Sequence, residues 1–422
     1  MDAPSEQPRV LVLGGGFGGV GAAVNLRQAD VDVTLVDRND YHTFQPLLYQ
    51  VATDLLESSA VGHPLRGLFH DHPHVTVHSG DVTGIDLDAR RVTFARRDPI
   101  TYDYLVIALG AQATFFGVEG AAEHAFPLYT LADAVRLRSH VLEMWEDADR
   151  DPALVDAGVL NVAVVGGGPT GVESAGALAE LYRREFAKDY PGVPQDTARI
   201  VLLEAGDDLL GMFRADIRRY ARKALTDRGV EVRTGEVVAK VGPDGVTLRS
   251  GEVIPTRTLV WGAGLVANPL VKTLGVDLQR GDRLPTEPDL SLAGHPEVFA
   301  VGDVAWTTVD GSDRALPQLG SVALQAGEHV AHGIARRVEG KPTEPFHYHD
   351  KGTMATIGRG AAVAQTQGGH TLKGRTAWLA WGAVHLALLS TGEDRAKAAV
   401  DWTWAGFTHE RSGRISVRTD PP

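Results

Sequence analysis

Two glycine-rich turns with the same spacing constrain how this chain can fold. Each follows a short apolar run, residues 10–13 in the first copy and 162–165 in the second, and each precedes an alanine-rich helical stretch. The glycines are Gly14, Gly16 and Gly19 in the first turn, and Gly166, Gly168 and Gly171 in the second. Placed between a strand and a helix, this spacing lets the backbone approach a pyrophosphate at the helix N-terminus. The repeat therefore predicts two Rossmann-like, dinucleotide-binding α/β domains.

An acidic residue ends the second predicted strand of each copy. Asp37 closes residues 34–37, and Glu204 closes residues 201–204. A carboxylate at this position can accept both hydroxyls of an adenosine ribose. A glycine-rich turn of any α/β protein could explain one copy, but two copies that both carry the acid favour two dinucleotide sites. The simplest use of two such sites in one chain is to pass electrons between them.

Composition excludes several other classes of protein. The chain has 422 residues, enough for two or three domains, and a net charge of −13, which argues against a nucleic-acid-binding surface. It contains no cysteine, so dithiol–disulfide chemistry cannot operate. The first eight residues are polar and acidic, and the longest apolar stretch, 378–389, is too short to span a bilayer. We therefore expect a cytoplasmic protein, at most associated with the inner face of the cell membrane.

The order of predicted elements gives a domain plan in which the second nucleotide-binding domain is inserted into the first. A C-terminal region with amphipathic helices at 376–389 and 394–407 follows. The expected segments are 1–113 (first part of the first nucleotide-binding domain), 114–157 (connection), 158–284 (second nucleotide-binding domain), 285–340 (return to the first domain) and 341–422 (C-terminal interface or membrane-associating region).

Three longer motifs carry a family resemblance. Residues 38–53, RNDYHTFQPLLYQVAT, resemble the flavin-side signature of type II NADH dehydrogenases, the single-subunit NADH:quinone oxidoreductases. Residues 166–173, GGGPTGVE, resemble the NADH-side loop of that family, and residues 351–358, KGTMATIG, together with the tryptophan-rich tail, are also similar to it. The resemblance extends over nearly the whole chain.

The resemblance implies FAD as the bound cofactor and NADH as the electron donor. On the FAD side it implies a role for the first glycine set, Asp37 and Asp303. It places Gln45 to Tyr49 beside the isoalloxazine, with Gln45, Pro46 and Leu47 as the expected cofactor-binding residues. On the NADH side it implies the second glycine set and Glu204, whose charge favours NADH over NADPH. The other expected cofactor-binding residues are Arg38, Gly110, Gly264, Gly302 and Ser321.

The resemblance also implies three candidate catalytic residues near the electron acceptor. Glu173 is implicated in proton handling, although an acidic residue in the first turn of a helix is also stabilised by the helix dipole. Gln325 would belong to a quinone pocket, or else be a helix-surface amide; the chain has Gly320-Ser321 where family members commonly carry Ala-Gln. Lys351 would lie near the acceptor pocket, or else be an exposed lysine in a turn. We expect no metal site.

The implied function is transfer of a hydride from NADH to FAD and of electrons onward to a quinone, without redox cysteines or proton pumping. Two alternatives stay open at this stage. One is a soluble NADH-dependent flavin reductase of a small quinone-like metabolite. The other is a redox-sensing flavoprotein that binds both nucleotides without turnover.

The tail departs most from the family, whose members use two C-terminal amphipathic helices to lie on the bilayer. The first tail segment is apolar enough for this, and the second, at 393–401, has alanines and charges instead. We expect weak, reversible peripheral membrane contact, or a homodimer that buries tryptophans of the tail. The side chains concerned are Trp378, Leu379, Trp381, Leu386, Leu388 and Leu389 for the membrane, and Trp378, Trp381, Trp402 and Trp404 for the dimer.

Overall fold

The computed structural model describes residues 7–194, 197–308, 312 and 314–408, and the chain divides into two compact units. The first unit comprises Met1–Thr43, Gly62–Gln112 and Leu265–His349. The second comprises Phe44–Val61, Ala113–Gly264 and Asp350–Pro422. The chain thus leaves the first unit and returns to it, as the predicted insertion requires. Residues expected to form a connection, 114–157, and most of the C-terminal region belong to the second unit.

The strands are numbered in chain order. Those up to residue 127 are β1 Arg9–Leu13, β2 Asp32–Asp37, β3 Tyr41–Thr43, β4 Gly62–Pro64, β5 Val75–Ser79, β6 Val82–Asp86, β7 Arg91–Phe94, β8 Ile100–Thr101, β9 Tyr104–Ile107, β10 Ala111–Ala113 and β11 Ala125–Pro127. The next are β12 Val162–Val165, β13 Ile200–Glu204, β14 Val230–Thr234, β15 Val238–Gly242, β16 Gly245–Leu248, β17 Val253–Pro255, β18 Thr258–Trp261 and β19 Leu265–Ala267. The last are β20 Leu284–Pro285, β21 Ser291–Leu292, β22 His295–Ala300, β23 Ala305–Trp306, β24 Thr353–Gly358, β25 Ala361–Gln365 and β26 Thr371–Gly374.

The α-helices are numbered in the same way. They are α1 Phe17–Asn25, α2 Leu48–Ala52, α3 Ser58–Val61, α4 Leu65–Leu68, α5 Ala121–His124, α6 Leu131–Arg150, α7 Ala153–Asp156, α8 Pro169–Leu181, α9 Ala187–Asp189, α10 Ala215–Thr226, α11 Gly320–Val338, α12 Arg375–Leu388 and α13 Gly392–Thr408. A π-helical turn, Tyr182–Phe186, follows α8, and short 3₁₀ turns occur at Leu26–Gln28, Gln45–Leu47, Pro269–Thr273 and Gly302–Val304.

The first unit is built on a six-stranded sheet in the order β21-β22-β9-β1-β2-β5. All its pairings are parallel except that of β21 with β22. Buried apolar side chains cover both faces, which is why β1 reads as an unbroken apolar run rather than an alternating one. The strand order reverses beside β1, and ligands of such sheets bind at the carboxyl ends of the strands at that point.

The second unit repeats the plan with a five-stranded parallel sheet in the order β11-β18-β12-β13-β14. Its order reverses beside β12, the strand that precedes the second glycine loop. The two sheets confirm the prediction of two Rossmann-like domains. Strand β11 is an addition, because the sequence indicated only a connection where this strand pairs with β18.

The C-terminal part of the second unit is a three-stranded antiparallel sheet, β24-β25-β26, followed by α12 and α13. Within the described part of the chain, we find no helix with the length and apolarity needed to cross a membrane. Trp381 and Leu389, two side chains expected at a membrane surface, are 3% and 2% exposed and pack inside their own chain.

Candidate cofactor and acceptor sites

The first glycine loop has two glycines that the protein's own packing requires and one that it does not. Gly14 has a φ of +109°, and a Cβ there would lie 2.2 Å from the carbonyl oxygen of Ala108. A Cβ on Gly19 would lie 1.8 Å from the carbonyl oxygen of Gly14. A Cβ on Gly16, by contrast, would meet nothing within 4 Å. The open side of Gly16 lies at the N-terminus of α1, where no side chain caps the helix, and this fits a pyrophosphate.

The second loop has the same division of roles. Gly166 has a φ of +110° and lies against the Gly262 carbonyl, 2.6 Å from where a Cβ would stand. A Cβ on Gly171 would lie 1.8 Å from the Gly166 oxygen, whereas one on Gly168 would meet nothing within 4 Å. Pro169 begins α8, again without a side-chain cap. The second loop therefore also fits a dinucleotide.

Each predicted acid accepts hydrogen bonds from two backbone N–H groups, one in its glycine loop and one two residues after the acid. Asp37 Oδ2 accepts from Gly15 N at 2.6 Å, and Oδ1 accepts from Asn39 N at 2.7 Å. Burial raises the pKa of Asp37, and these two hydrogen bonds oppose the rise.

Glu204 repeats the arrangement, with Oε2 accepting from Gly167 N at 2.5 Å and Oε1 from Gly206 N at 2.6 Å. A carboxylate oxygen that accepts one N–H still has a lone pair for a ribose hydroxyl.

His42 supports the first loop, a role that no local sequence pattern predicts. It is 3% exposed, and its Nδ1 lies 2.8 Å from the Gly15 carbonyl oxygen, so Nδ1 carries the proton and donates it. Its ring meets the ring of Phe17 edge-on, with centroids 5.1 Å apart. The only sequence signal is its place within the family-like motif, because the contact joins residues 27 positions apart.

Further residues expected at the FAD lie at the carboxyl edge of the first sheet. Gly110 follows β9, and Gly302 and Asp303 follow β22, with left-handed φ values of +67° at Gly110 and +76° at Gly302. The Asp303 carbonyl accepts from Gln318 Nε2 at 3.0 Å. Because β22, β9 and β1 run parallel, these residues and the first glycine loop share one edge.

Helix α11 carries two more of the predicted residues. The Ser321 hydroxyl lies 3.0 Å from the hydroxyl of Tyr348. The Gln325 amide is tied to the backbone of His349, accepting from its N at 3.0 Å and donating to its O at 3.1 Å. These bonds give Gln325 a role in holding residues 348–349 against the helix. Its role at a quinone stays a prediction.

The residues expected beside the isoalloxazine form a 3₁₀ turn that leads into α2. Leu47 is fully buried, Pro46 is exposed, and Gln45 Nε2 donates to the Tyr129 carbonyl at 3.3 Å. Pro46 is therefore the apolar surface that this turn offers to a ring, while Leu47 anchors it in the core.

Two of the remaining predicted residues, Arg38 and Lys351, are exposed. Arg38 lies 3.9 Å from Asp81, and both side chains are about two-thirds exposed. Lys351 stands in the segment before β24. Gly264, which follows β18, is more closely packed: its carbonyl accepts from Thr114 N at 3.1 Å, and a Cβ there would lie 2.5 Å from the ring of Phe116.

Glu173 lies in a buried polar cluster. It is 9% exposed, and its Oε1 accepts from Thr356 N on β24 at 3.1 Å. Burial raises the pKa of Glu173 to about 8, and the Thr356 N–H opposes this rise. Tyr49 on α2 faces the same cluster: burial raises its pKa well above the ordinary value, and the charge of Glu173 adds to the rise. A carboxyl group of this kind can hold and release a proton near neutral pH.

The chain matches known proteins over most of its length. The family model described as pyridine nucleotide-disulphide oxidoreductase matches residues 8–327. The type II NADH:quinone oxidoreductase Ndh of Mycobacterium tuberculosis is 36% identical over 430 residues, covering 98% of this chain and 91% of that protein. The type II NADH:quinone oxidoreductase of Staphylococcus haemolyticus is 30% identical over 362 residues, covering 84% and 88%.

Solved structures support the fold. NDH2 from Plasmodium falciparum in complex with NADH superposes with a TM-score of 0.88 at 20% identity, covering 98% of this chain and 100% of that one. The sulfide:quinone oxidoreductase of Aquifex aeolicus gives 0.72 at 20% identity, covering 95% of each chain. On the sequence matches, this chain belongs to the pyridine nucleotide-disulphide oxidoreductase family and, within it, to the type II NADH:quinone oxidoreductases.

Proposed function

We propose that this protein oxidises NADH with FAD and passes the electrons to a quinone, without redox cysteines and without pumping protons. The observation that carries the proposal is the repeated glycine loop with its fastened acid, present once in each unit of a chain without cysteine. When bound, FAD supplies the redox chemistry, taking a hydride from NADH and giving electrons to the acceptor. The chain's own residues would bind and orient the two nucleotides and supply protons to the acceptor.

The first glycine loop and Asp37 would hold the adenosine diphosphate half of FAD. The N–H groups at the start of α1 would face the pyrophosphate, and Asp37 would accept the ribose hydroxyls. His42 supports this loop by its bond to Gly15. Gly110, Gly302 and Asp303 stand at the same sheet edge and would contact the rest of the cofactor.

The second loop and Glu204 would hold NADH. Its carboxylate suits the free 2′-hydroxyl of NADH and repels the 2′-phosphate of NADPH. Ala205 and Gly206 follow, so the next two residues bring no cation to offset that repulsion.

Glu173 would supply a proton on the acceptor side. Reduction of a quinone to a quinol consumes two protons with the two electrons. With a pKa of about 8, the carboxyl group is protonated at neutral pH and can donate.

The finer statements about location and assembly belong to the same proposal. We infer a cytoplasmic protein with weak contact at the inner face of the cell membrane, and a homodimer. Support comes from five exposed apolar side chains on the last two helices, which we call the exposed tail face: Leu379, Val384, Leu388, Val400 and Trp404.

The test compares the two open glycines with a matched control. Gly168→Val adds a side chain where the protein leaves space, so we expect normal folding and FAD content but at least a tenfold rise in KM for NADH, equivalent to about 1.4 kcal/mol. Gly16→Val should instead lose FAD. Gly392→Val is the control, because that glycine is equally open and lies in the same unit as Gly168, at the start of α13.

The wild-type protein should reduce a soluble quinone with NADH, and with NADPH much more slowly. Flavin that is bleached by NADH but not reoxidised by any quinone of a panel would rule out the proposed acceptor. Equal rates with NADH and NADPH would rule out the role of Glu204.

A further inference from the structure

A chain of buried hydrogen bonds leads from the last helix to the Glu173 cluster. Trp402 Nε1 on α13 donates to Gln50 Oε1 at 2.7 Å. Gln50 Nε2 donates in turn to the Tyr49 hydroxyl, also at 2.7 Å. Gln50 is 2% exposed and Tyr49 is 5% exposed, although both lie in the short helix α2 among apolar neighbours. A buried amide in such a helix is costly unless its partners are in place.

The indole group fixes which groups donate and which accept in this series of hydrogen bonds. An indole N–H can only donate, so the Gln50 atom that faces it is the oxygen, and the Gln50 amino group must face Tyr49. The Tyr49 hydroxyl therefore accepts from Gln50 and keeps its own O–H free to donate onward. The Thr356 side chain bonds to the same hydroxyl, and the Thr356 N–H donates to Glu173.

Other contacts hold Trp402 at this position. The rings of Trp402 and Trp381 are 5.5 Å apart, which joins α13 to α12. Arg359 Nη1 donates to the Ala405 carbonyl at 3.2 Å, which joins α13 to the turn after β24. The negative charge of Glu180 also raises the pKa of Tyr49. The Glu180 carboxylate accepts from Arg359 N at 2.6 Å and lies 3.4 Å from Arg228 Nε.

We propose that Gln50 and Trp402 are positioning residues that direct the Tyr49 hydroxyl toward Thr356 and Glu173, so that α13 supports the proton-handling group through a hydrogen bond that spans 352 residues of sequence. The inference rests on the proposed function, in which Glu173 supplies a proton to the acceptor. Without the indole N–H, the Gln50 amide can reverse. Its oxygen would then take the Tyr49 proton, and the O–H dipole would turn away from Glu173, whose charge acts on Tyr49. Ionised Glu173 would therefore be less stable.

The test uses Trp402→Phe, which removes the N–H and keeps an aromatic ring, and Gln50→Leu, which removes the amide. Trp378→Phe is the matched control, the same substitution on the neighbouring helix. Infrared titration of the holoenzyme follows the Glu173 carboxyl band, identified by its loss in Glu173→Gln. We expect its midpoint to move to higher pH in both test variants and to stay at the wild-type value in Trp378→Phe.

Stopped-flow measurements provide the second readout. A carboxyl group with a higher pKa is a weaker acid, so at about pH 7 the oxidative half-reaction should slow by about threefold or more in both test variants, while reduction by NADH stays at the wild-type rate. Should Gln50→Leu fail to fold, Trp402→Phe alone decides.

A wild-type midpoint and wild-type rates in Trp402→Phe would overturn the inference. A shifted midpoint in Trp402→Phe, together with an unchanged oxidative half-reaction in Glu173→Gln, would instead support the positioning role and overturn the proton-donor role of Glu173.

Discussion

Glu173 is a buried carboxyl group whose pKa, about 8, lies close to the pH at which it would have to give up a proton. We expect the wild-type oxidative half-reaction to slow as pH rises through about 8, because only the protonated acid donates. Glu173→Gln should slow this half-reaction by about 100-fold and remove its dependence on pH in that range. Stopped-flow mixing of the reduced enzyme with a soluble quinone from pH 6 to about pH 9 measures both effects.

Stability gives an independent check on the same residue. A carboxyl group whose folded pKa is raised costs no stability below its unfolded pKa, near 4.5, and costs increasingly more as pH rises to about 8. Glu173→Gln should therefore unfold at a higher temperature than wild type at pH 8, with a smaller difference at lower pH. Glu143→Gln, an exposed residue on α6, should change neither the rate nor the stability. Reoxidation at the wild-type rate in Glu173→Gln would contradict the proton-donor role and leave Glu173 only as an acidic residue near the start of α8.

Individual site residues could be predicted from sequence where their chemistry is local. Asp37 and Glu204 belong to strand–loop–helix units whose geometry the glycine spacing already implies. The partners of Glu173 could not be predicted, because Thr356 lies 183 residues away and its backbone, not its side chain, makes the bond. For Gln325, no local pattern indicates that its amide pairs with the His349 backbone.

At the scale of elements, helices α1 and α11 pack closely because two glycines remove the side chains between them. A Cβ on Gly327 would lie 2.1 Å from the carbonyl oxygen of Gly18. Gly327→Ala should therefore force the helices apart and lower the free energy of unfolding by about 1–3 kcal/mol. Since α1 begins at the first glycine loop, the variant should also retain less FAD through gel filtration.

The matched control is Gly333→Ala, two turns further along α11. Its Cβ would have Thr343 Cγ2 as nearest neighbour at 3.6 Å, an ordinary contact. Replacing glycine by alanine within a helix then stabilises by up to about 1 kcal/mol. Urea unfolding of the two holoproteins should give shifts of opposite sign. A loss of equal size in both would mean that the α1–α11 contact is not the cause.

The elements that the sequence predicted well are those buried on both faces. Strand β12 has the same ends as the apolar run at 162–165 from which it was predicted. Strand β11 was missed because Ala125–Pro127 is only three residues long and ends in a proline. Only its pairing with β18, more than 130 residues later in the chain, makes it a strand.

At the scale of the whole molecule, membrane contact depends on how much apolar surface the tail leaves uncovered. The chain's own packing covers Trp381 and Leu389, while the exposed tail face keeps five apolar side chains, from 43% exposed at Val384 to 65% at Val400. The alanines of α13 add little, since each forgoes about 2 kcal/mol of burial relative to leucine. A net charge of −13 adds no general attraction to anionic lipid.

We therefore expect partial, reversible flotation with vesicles in moderate salt, no stronger with anionic than with zwitterionic lipid. Val384→Ser combined with Leu388→Ser should abolish flotation, because these two exposed side chains lie one turn apart on the same side of α12 and their burial supplies much of the affinity. Val253→Ser, which removes an exposed apolar side chain on β17 outside the tail, is the control and should float like wild type. Complete flotation that resists salt would contradict weak contact. Sedimentation gives the alternative outcome. If the wild-type protein is a dimer and the double variant is a monomer, the exposed tail face binds a second copy of the chain.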